Sequence, residues 1–379
     1  MKVLILSCNT GEGHNVAGKA MKEALEKEGH EAVMLDYMKL SSDRTSRVVA
    51  GAYINLVKYT PHFFYLLYKT VLKISSDKRK SPVYYANSLM AKHLKKYLEE
   101  NKFDIILMPH IFPAETITYM KKKQMIDQKT IAISTDYTCI PFWEETECDA
   151  YVIPHERMID EYIKRGIPKE KLYPLGIPVR QDFYTKEEIR KAKKKLNLNI
   201  DKPMYLIMSG SMGFGKIQLF TIKLNRQCEE GEQIIVICGN NKKLKSVLEK
   251  EFKNRTNIKI VGYTDNVSVY MDAADVVYTK PGGLTSTEVI IKNRPLVHTA
   301  PIPGCETKNM QFFMEKGMSL HSKKITEQIE QGKILLYNNE IRKNMLENQR
   351  ENSKINATRD IIKLMESLVN KEKILFMRW

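Results

Sequence analysis

The sequence predicts an α/β protein of two domains, each built on a parallel sheet with helices around it. Three observations carry that reading. Short apolar runs alternate with helical patterns from the first residues onward. The same alternation restarts at Met204. Two strand–glycine loop–helix starts, Asn9–His14 and Ser209–Gly215, lie about 200 residues apart, as two Rossmann-like units would place them.

The elements follow in order. Lys2–Ser7 is a short apolar run that ends in the loop Asn9-Thr10-Gly11-Glu12-Gly13-His14. A helical pattern runs from about Val16 to Glu28 and stops at Gly29, and Glu31–Leu35 is a second strand. After a long helical stretch come strands at Asp104–Met108, Thr130–Ser134 and Ala150–Ile153. In the second half, strands are expected at Met204–Met208, Gln233–Cys238, Asn257–Val261, Asp275–Tyr278 and Pro295–His298, with helices between them. The join is expected near Gly176-Ile177-Pro178, ahead of a very basic helix, Lys186–Leu196. These bounds give a first domain over 1–178, a second over 179–355, and a C-terminal helix and tail over 356–379 that packs back on the first.

Composition narrows the class. The chain is 43% hydrophobic and 28% charged, which excludes wholesale disorder and a polytopic membrane protein. Its net charge of +16 favours anionic partners without choosing among nucleic acid, membrane and phosphorylated substrates. The six cysteines form no CxxC pair, which fits a reducing cytosol and argues against a disulfide framework or zinc ribbon. The start, MKVLILSC, reads as a strand and not as a signal peptide.

Gly11-x-Gly13 follows a strand and opens a helix, where glycines allow close backbone approach and the helix start offers free N–H groups. Its spacing to Gly18 is not that of a dinucleotide fingerprint. Asp36, at the end of the second strand, could mimic the ribose-binding acid of a dinucleotide site, but the spacing argues against that, and a plain tight βα turn is the better reading of the loop. His14, at the loop's mouth, is either a base for an attacking hydroxyl or a helix-capping histidine. The loop Ser209–Gly215 can wrap a diphosphate with backbone amides, yet lacks the GK[ST] ending of a P-loop. The strongest motif is Lys280-Pro281-Gly282-Gly283-Leu284-Thr285-Ser286-Thr287-Glu288. It runs from a strand end into a helix whose first turn suits a phosphate, with Glu288 placed to accept ribose hydroxyls. There is no Asp-x-Asp, so helix N-termini and loop amides are expected to replace a metal at the diphosphate. Lys280 and Arg180 either assist there or are surface charges.

Five stretches carry a family resemblance, in chain order: Gly11-Glu12-Gly13-His14, Thr135-Asp136-Tyr137…Trp143, Gly176-Ile177-Pro178, Lys280–Glu288 and Pro303-Gly304-Cys305-Glu306…Asn309. Together they resemble the monogalactosyldiacylglycerol synthase and processive diacylglycerol glucosyltransferase family. More distantly the chain is similar to the GlcNAc transferase that makes lipid II. The resemblance implies a GT-B fold, two Rossmann-like domains facing a central cleft. It implies an inverting, UDP-sugar-dependent hexosyltransferase of bacterial type that glycosylates a membrane lipid such as diacylglycerol, without metal or other cofactor. It further implies that His14 and Asp136 are catalytic, and that Gly11 and Gly13 form the acceptor loop. Ser209, Gly210, Ser211, Gly213, Lys280, Gly282, Gly283, Leu284 and Thr285 would hold the diphosphate and Glu288 the ribose. Glu306 and Asn309 would meet sugar hydroxyls, and Gly262 and Tyr263 the uracil. The family commonly has Gln where Cys305 stands, which leaves the donor sugar open.

Residues 39–100 hold twelve Lys and Arg against four acids, interleaved with aromatics. Tyr65, Tyr68, Lys69, Lys73 and Arg79 read as the centre of an amphipathic face for an anionic membrane. A core-packed helix with a solvated basic face is the plainer alternative. The expected location is cytoplasmic, peripheral on the inner face of the cell membrane. Two other functions compete: a UDP-GlcNAc epimerase-like enzyme on the same fold, and a basic nucleic-acid-binding protein. The latter lacks any recognised nucleic-acid motif, so no nucleic-acid partner is expected.

Overall fold

Strands that are buried on both faces must be apolar throughout, and the apolar runs of this sequence become two six-stranded parallel sheets. The computed structural model describes residues 1–9, 12–44, 46–48, 51, 55, 66, 70, 80–208, 210 and 216–370. It divides into two units, Met1–Gln181 with the stretch from Lys354, and Asp182–Ser353.

The first unit runs β1 (Lys2–Ser7), α1 (Glu12–Lys27), β2 (Glu31–Asp36), α2 (Pro82–Ser88), α3 (Ala91–Glu100), β3 (Ile105–Met108), α4 (Ile111–Lys122), β4 (Lys129–Ile133), β5 (Ala150–Val152), α5 (Ile159–Lys164) and β6 (Leu172–Tyr173). The sheet order is β2-β1-β3-β4-β5-β6. Val3 pairs with Ala32 on one side and Ile105 on the other, which puts the C-terminal ends of β1 and β3 side by side. Helix α1 starts at Glu12, earlier than the sequence pattern suggested, so Gly13 and His14 lie in its first turn. The acidic Glu12 complements the helix dipole there.

The second unit holds α6 (Gln181–Tyr184, straddling the boundary), α7 (Ile189–Lys195), β7 (Met204–Met208), α8 (Ile217–Gln227), β8 (Gln233–Ile237), α9 (Lys242–Glu251), β9 (Ile258–Val261), α10 (Val267–Ala273), β10 (Val276–Thr279), α11 (Gly283–Lys292), β11 (Leu296–His298), α12 (Cys305–Glu315), β12 (Leu320–His321), α13 (Ile325–Tyr337) and α14 (Asn339–Asn352). Its order is β12-β11-β10-β7-β8-β9. Asp272, at the end of α10, and Asp275, just before β10, are each held by a buried lysine: Lys292 at 2.6 Å from Asp272, Lys193 at 2.8 Å from Asp275. Removing one partner of such a pair costs about 3–5 kcal/mol, so these aspartates are framework.

The last described helix, α15 (Ala357–Asn370), belongs to the first unit. Its Ile361, Ile362, Leu364 and Met365 are fully buried in one cluster with Val3, Ile5, Met21, Leu25 and Ile131. Burial of each such side chain stabilises by about 1.5–3 kcal/mol. The chain reaches this position past Gly176, whose φ of +98° and whose contact with Lys354 exclude a side chain: a Cβ there would fall 2.5 Å from the Lys354 Cβ. Lys354 is anchored in turn to Glu156 at 2.8 Å.

Candidate functional site

In an open parallel sheet, ligands meet the loops at the C-terminal ends of the strands. The first unit gathers its candidates there. Behind β1, Ser7 Oγ donates to Asn15 Oδ1 at 2.6 Å, Asn15 Nδ2 to Asn9 Oδ1 at 2.7 Å, and Asn9 Nδ2 to Asp36 Oδ2 at 2.7 Å. Asp36 also accepts from Ser46 Oγ and from the Met38 amide. Both its oxygens are thus engaged in fixing the loop, and Asp36 caps the turn that follows β2.

His14 sits at the centre of this end. Its Nδ1 lies 2.9 Å from the Pro109 carbonyl and 2.9 Å from Thr135 Oγ1. A carbonyl only accepts, so Nδ1 carries the hydrogen and the neutral ring keeps its lone pair on Nε2. Burial lowers the His14 pKa, while the charge of Asp136 and the Pro109 bond oppose that shift. The ring is therefore neutral at neutral pH and has the form of a base. Asp136 follows Thr135 at the end of β4 and is partly exposed. His110 packs edge-on to His14, with centroids 4.6 Å apart, and its Nδ1 caps α4 by accepting from the Phe112 amide at 3.1 Å. Burial and the neighbouring His14 hold His110 neutral too. Neither His110 nor Thr135 was singled out as a site residue from the sequence. The signal available was positional: His110 follows β3, which pairs with β1, and Thr135 follows β4, the next strand beyond β3.

The second unit builds its candidates around α11. Gly282 caps this helix without a side-chain bond, so the amides of Gly283, Leu284 and Thr285 have no capping side chain and sit at the positive end of the helix dipole. Lys280, just before it, forms an ion pair with Glu306 in the first turn of α12. Glu306 Oε2 also accepts from the Ile302 amide at 2.8 Å. Asn309 is fully buried and donates to the Pro281 carbonyl at 3.1 Å. Glu306 and Asn309 therefore tie the Lys280–Gly283 turn to α12. Gly210, after β7, has φ +68°, and a Cβ there would lie 2.7 Å from Lys280 Cε. The glycine lets the β7 loop rest on the lysine stem, and so Gly210, Lys280, Gly282, Glu306 and Asn309 converge. Leu284 and Glu288 are buried on α11, and Thr285 is partly exposed.

Gly262 and Tyr263 follow β9, two strands from β7 and three from β10, hence about 10 and 14 Å away by strand spacing. Tyr263 is 64% exposed and donates to Asp265 at 3.0 Å. Gly11, Ser209, Ser211, Gly213, Tyr65, Tyr68, Lys69, Lys73, Arg79 and the tail 371–379 lie outside the described residues. Among the described residues no group of three or more His, Cys, Asp and Glu side chains is arranged to hold a metal ion, and no helix is long and apolar enough to cross a membrane.

Comparison with known proteins finds relatives for both halves of the chain. Residues 14–179 match the family model for monogalactosyldiacylglycerol (MGDG) synthase, and residues 204–365 match that of the glycosyltransferase family 28 C-terminal domain. A processive diacylglycerol beta-glucosyltransferase of Staphylococcus saprophyticus is 30% identical over 322 residues, 83% of this chain and 80% of the relative. Its namesake in Bacillus licheniformis is 28% identical over 382 residues, 98% and 97% of the two chains. Among solved structures, MurG of Acinetobacter baumannii superposes with a TM-score of 0.62 at 15% identity, covering 97% and 99% of the two chains. UDP-bound MnaA of S. aureus gives 0.63 at 14%, covering 98% and 97%. At these identities the likeness shows the fold, an α/β architecture of two parallel-sheet units of the GT-B kind.

Proposed function

The chain belongs to the monogalactosyldiacylglycerol synthase and processive diacylglycerol glucosyltransferase family, and we propose that it moves a hexose from a UDP-sugar to the hydroxyl of a diacylglycerol-type lipid, with inversion at the anomeric carbon. It is a glycolipid-synthesising glycosyltransferase. The observation that carries the finer reading is the turn Lys280–Gly283 with the α11 start behind it, braced by Glu306 and Asn309.

In this reading the donor half of the chemistry stands on the second unit. The amides of Gly283–Thr285 and the dipole of α11 hold the diphosphate, with Lys280 and Gly210 beside it. Glu288 accepts the ribose hydroxyls, and Tyr263 with Gly262 lies against the uracil. Glu306 and Asn309 keep the turn in place and border the sugar. Ser209, Ser211 and Gly213 join the diphosphate contacts on the strength of their glycine-rich sequence.

The acceptor half stands on the first unit. The lipid hydroxyl gives its proton to His14 Nε2 as its oxygen bonds to the anomeric carbon. The bond from that carbon to the phosphate oxygen breaks, and UDP leaves with the electron pair. Attack from the face opposite UDP inverts the centre. Asp136 stabilises the imidazolium so formed. Gly13 in the first turn, with Gly11 before it, leaves room for the acceptor. The enzyme acts as a peripheral protein of the inner membrane face, held by the basic–aromatic stretch around Tyr65, Tyr68, Lys69, Lys73 and Arg79. Exposed Leu66 and Leu89 in and beside that stretch support this reading.

Calorimetry with UDP in the presence of EDTA, with UMP and ADP as controls, tests the donor site. Selective UDP binding without metal is expected. A folded sample that binds UDP no better than ADP overturns the donor assignment.

A further inference from the structure

The helix that carries the donor motif is gripped from within by a histidine that the chemistry above does not use. His298 ends β11, opposite Thr279 in the β10 register, and is completely buried. Its Nε2 lies 2.9 Å from Ser286 Oγ on α11, and its Nδ1 lies 3.0 Å from Ser319 Oγ ahead of β12. Its carbonyl accepts from His321 Nδ1 at 2.9 Å. Its ring meets Phe313 of α12 edge-on, with centroids 5.4 Å apart. One side chain thus touches both helices of the proposed donor site, the one with Gly283–Glu288 and the one with Glu306 and Asn309.

The contact on α11 falls at a sensitive place. The Ser286 amide closes the first turn on the Gly282 carbonyl at 3.0 Å. The neighbouring Thr287 hydroxyl donates back to Gly283 at 2.8 Å. A bond to the Ser286 side chain therefore acts on the turn whose amides would meet the diphosphate. Burial depresses the His298 pKa to about 3, so the ring is neutral, with one donor and one acceptor. Each faces a serine hydroxyl that can play either part. Ser286 and Ser319 are themselves 0% and 2% exposed, so no water replaces a lost partner.

We infer that His298 is a positioning residue of the donor site: through Ser286 it fixes the rotation of the first turn of α11, and through Phe313 it sets that turn against α12. The inference rests on the donor-site reading and goes beyond it, by placing donor affinity under the control of a side chain that touches no donor atom. Such backing shells hold binding groups to the fraction of an ångström that recognition needs.

The test separates the two ring nitrogens. His298→Gln keeps an amide near the Nε2 position and can still bond Ser286. His298→Asn keeps one near Nδ1 and can bond only Ser319. His298→Phe keeps the bulk and neither bond. The full chain is titrated with UDP by calorimetry, and melting temperatures are recorded alongside. The Gln variant is expected to bind UDP within about threefold of wild type, and the Asn and Phe variants about tenfold more weakly, which is about 1.4 kcal/mol. Ser286→Ala, which leaves the histidine in place, is expected to show the same tenfold loss, and it decides the matter should a His298 variant not fold. In the transfer reaction the loss appears in the donor KM, with kcat at saturating donor changed less than threefold. Wild-type UDP affinity in the Asn, Phe and Ser286→Ala proteins, with only their melting temperatures lowered, reduces His298 to a structural residue and overturns the inference. Absence of UDP binding by the wild type overturns it together with the donor-site reading.

Discussion

Thr135 and His14 are 121 residues apart in the chain, and their side chains meet at 2.9 Å. The meeting follows from the sheet order, which sets β1, β3 and β4 side by side and brings their C-terminal ends together. With the Pro109 carbonyl on the same nitrogen, it fixes the tautomer of His14 and leaves Nε2 as the basic atom.

His14→Gln should therefore lose turnover by about 10²-fold or more, the usual worth of a positioned base, while UDP affinity stays within twofold. Thr135→Val keeps the Pro109 bond and should cost less, about tenfold or under. Steady-state transfer rates beside calorimetric UDP binding check both. Because burial lowers the His14 pKa, the acid limb of the rate profile should fall below the ordinary histidine value of about 6.5. Unchanged turnover in His14→Gln would remove it from the chemistry.

Glu288 tests the ribose contact. Glu288→Gln keeps the shape of the buried side chain and removes its charge. UDP affinity should drop about tenfold, and the preference for UDP over dUDP should shrink, since a charged acceptor makes the stronger bond to a hydroxyl. Competition titrations with the two nucleotides decide it, and an undiminished preference would place the ribose elsewhere.

Lys280 tests the charge at the diphosphate. Lys280→Met preserves the stem that lies over Gly210 and deletes the ammonium. The donor kcat/KM should fall about 10- to 100-fold, in the range of one electrostatic donor to a leaving group. A loss confined to melting temperature would make the Lys280–Glu306 pair framework only.

Much of this molecule was legible in its sequence, for reasons that differ by element. The central strands β1, β3, β7 and β8 are covered on both faces and read as unbroken apolar runs. The edge strands β6 and β12 are two residues each, too short to show any period. Helix α1 began early because Gly13 in a first turn looks like loop in a sequence. The strand–turn–helix of Lys280–Glu288 was legible because it is contiguous, a strand end, a turn and a helix start in nine residues. The surroundings of His14 were not, because Pro109, His110 and Thr135 reach it only through the sheet order. His298 was hidden differently: a histidine ending an apolar strand carries no pattern of its own until Ser286 and Ser319 close on it.

Glu115 offers a test of the first unit's stability. It is fully buried on α4 and receives a bond from Asn87, which receives one from Tyr37. Burial pushes its carboxyl up to about 8. An acid whose folded pKa is raised binds its proton more tightly in the folded state, so its stabilising contribution is complete below about pH 4.5 and is lost as pH rises through about 8. Glu115→Gln should remove this dependence and make the protein more stable than wild type at pH 9. Denaturant midpoints at pH 6 and 9 measure it, and an equal slope in both proteins would contradict the assignment.

Lipid glycosylation from a UDP-sugar is tested most directly by one reaction. The purified full chain is incubated with UDP-glucose or UDP-galactose and diacylglycerol in anionic vesicles containing EDTA, and the lipid fraction is analysed by NMR. The expected products are a hexosyl-diacylglycerol with a β-linkage and an equal amount of free UDP. A protein that binds UDP and epimerises UDP-GlcNAc, yet leaves the lipid unmodified with every donor, would contradict it.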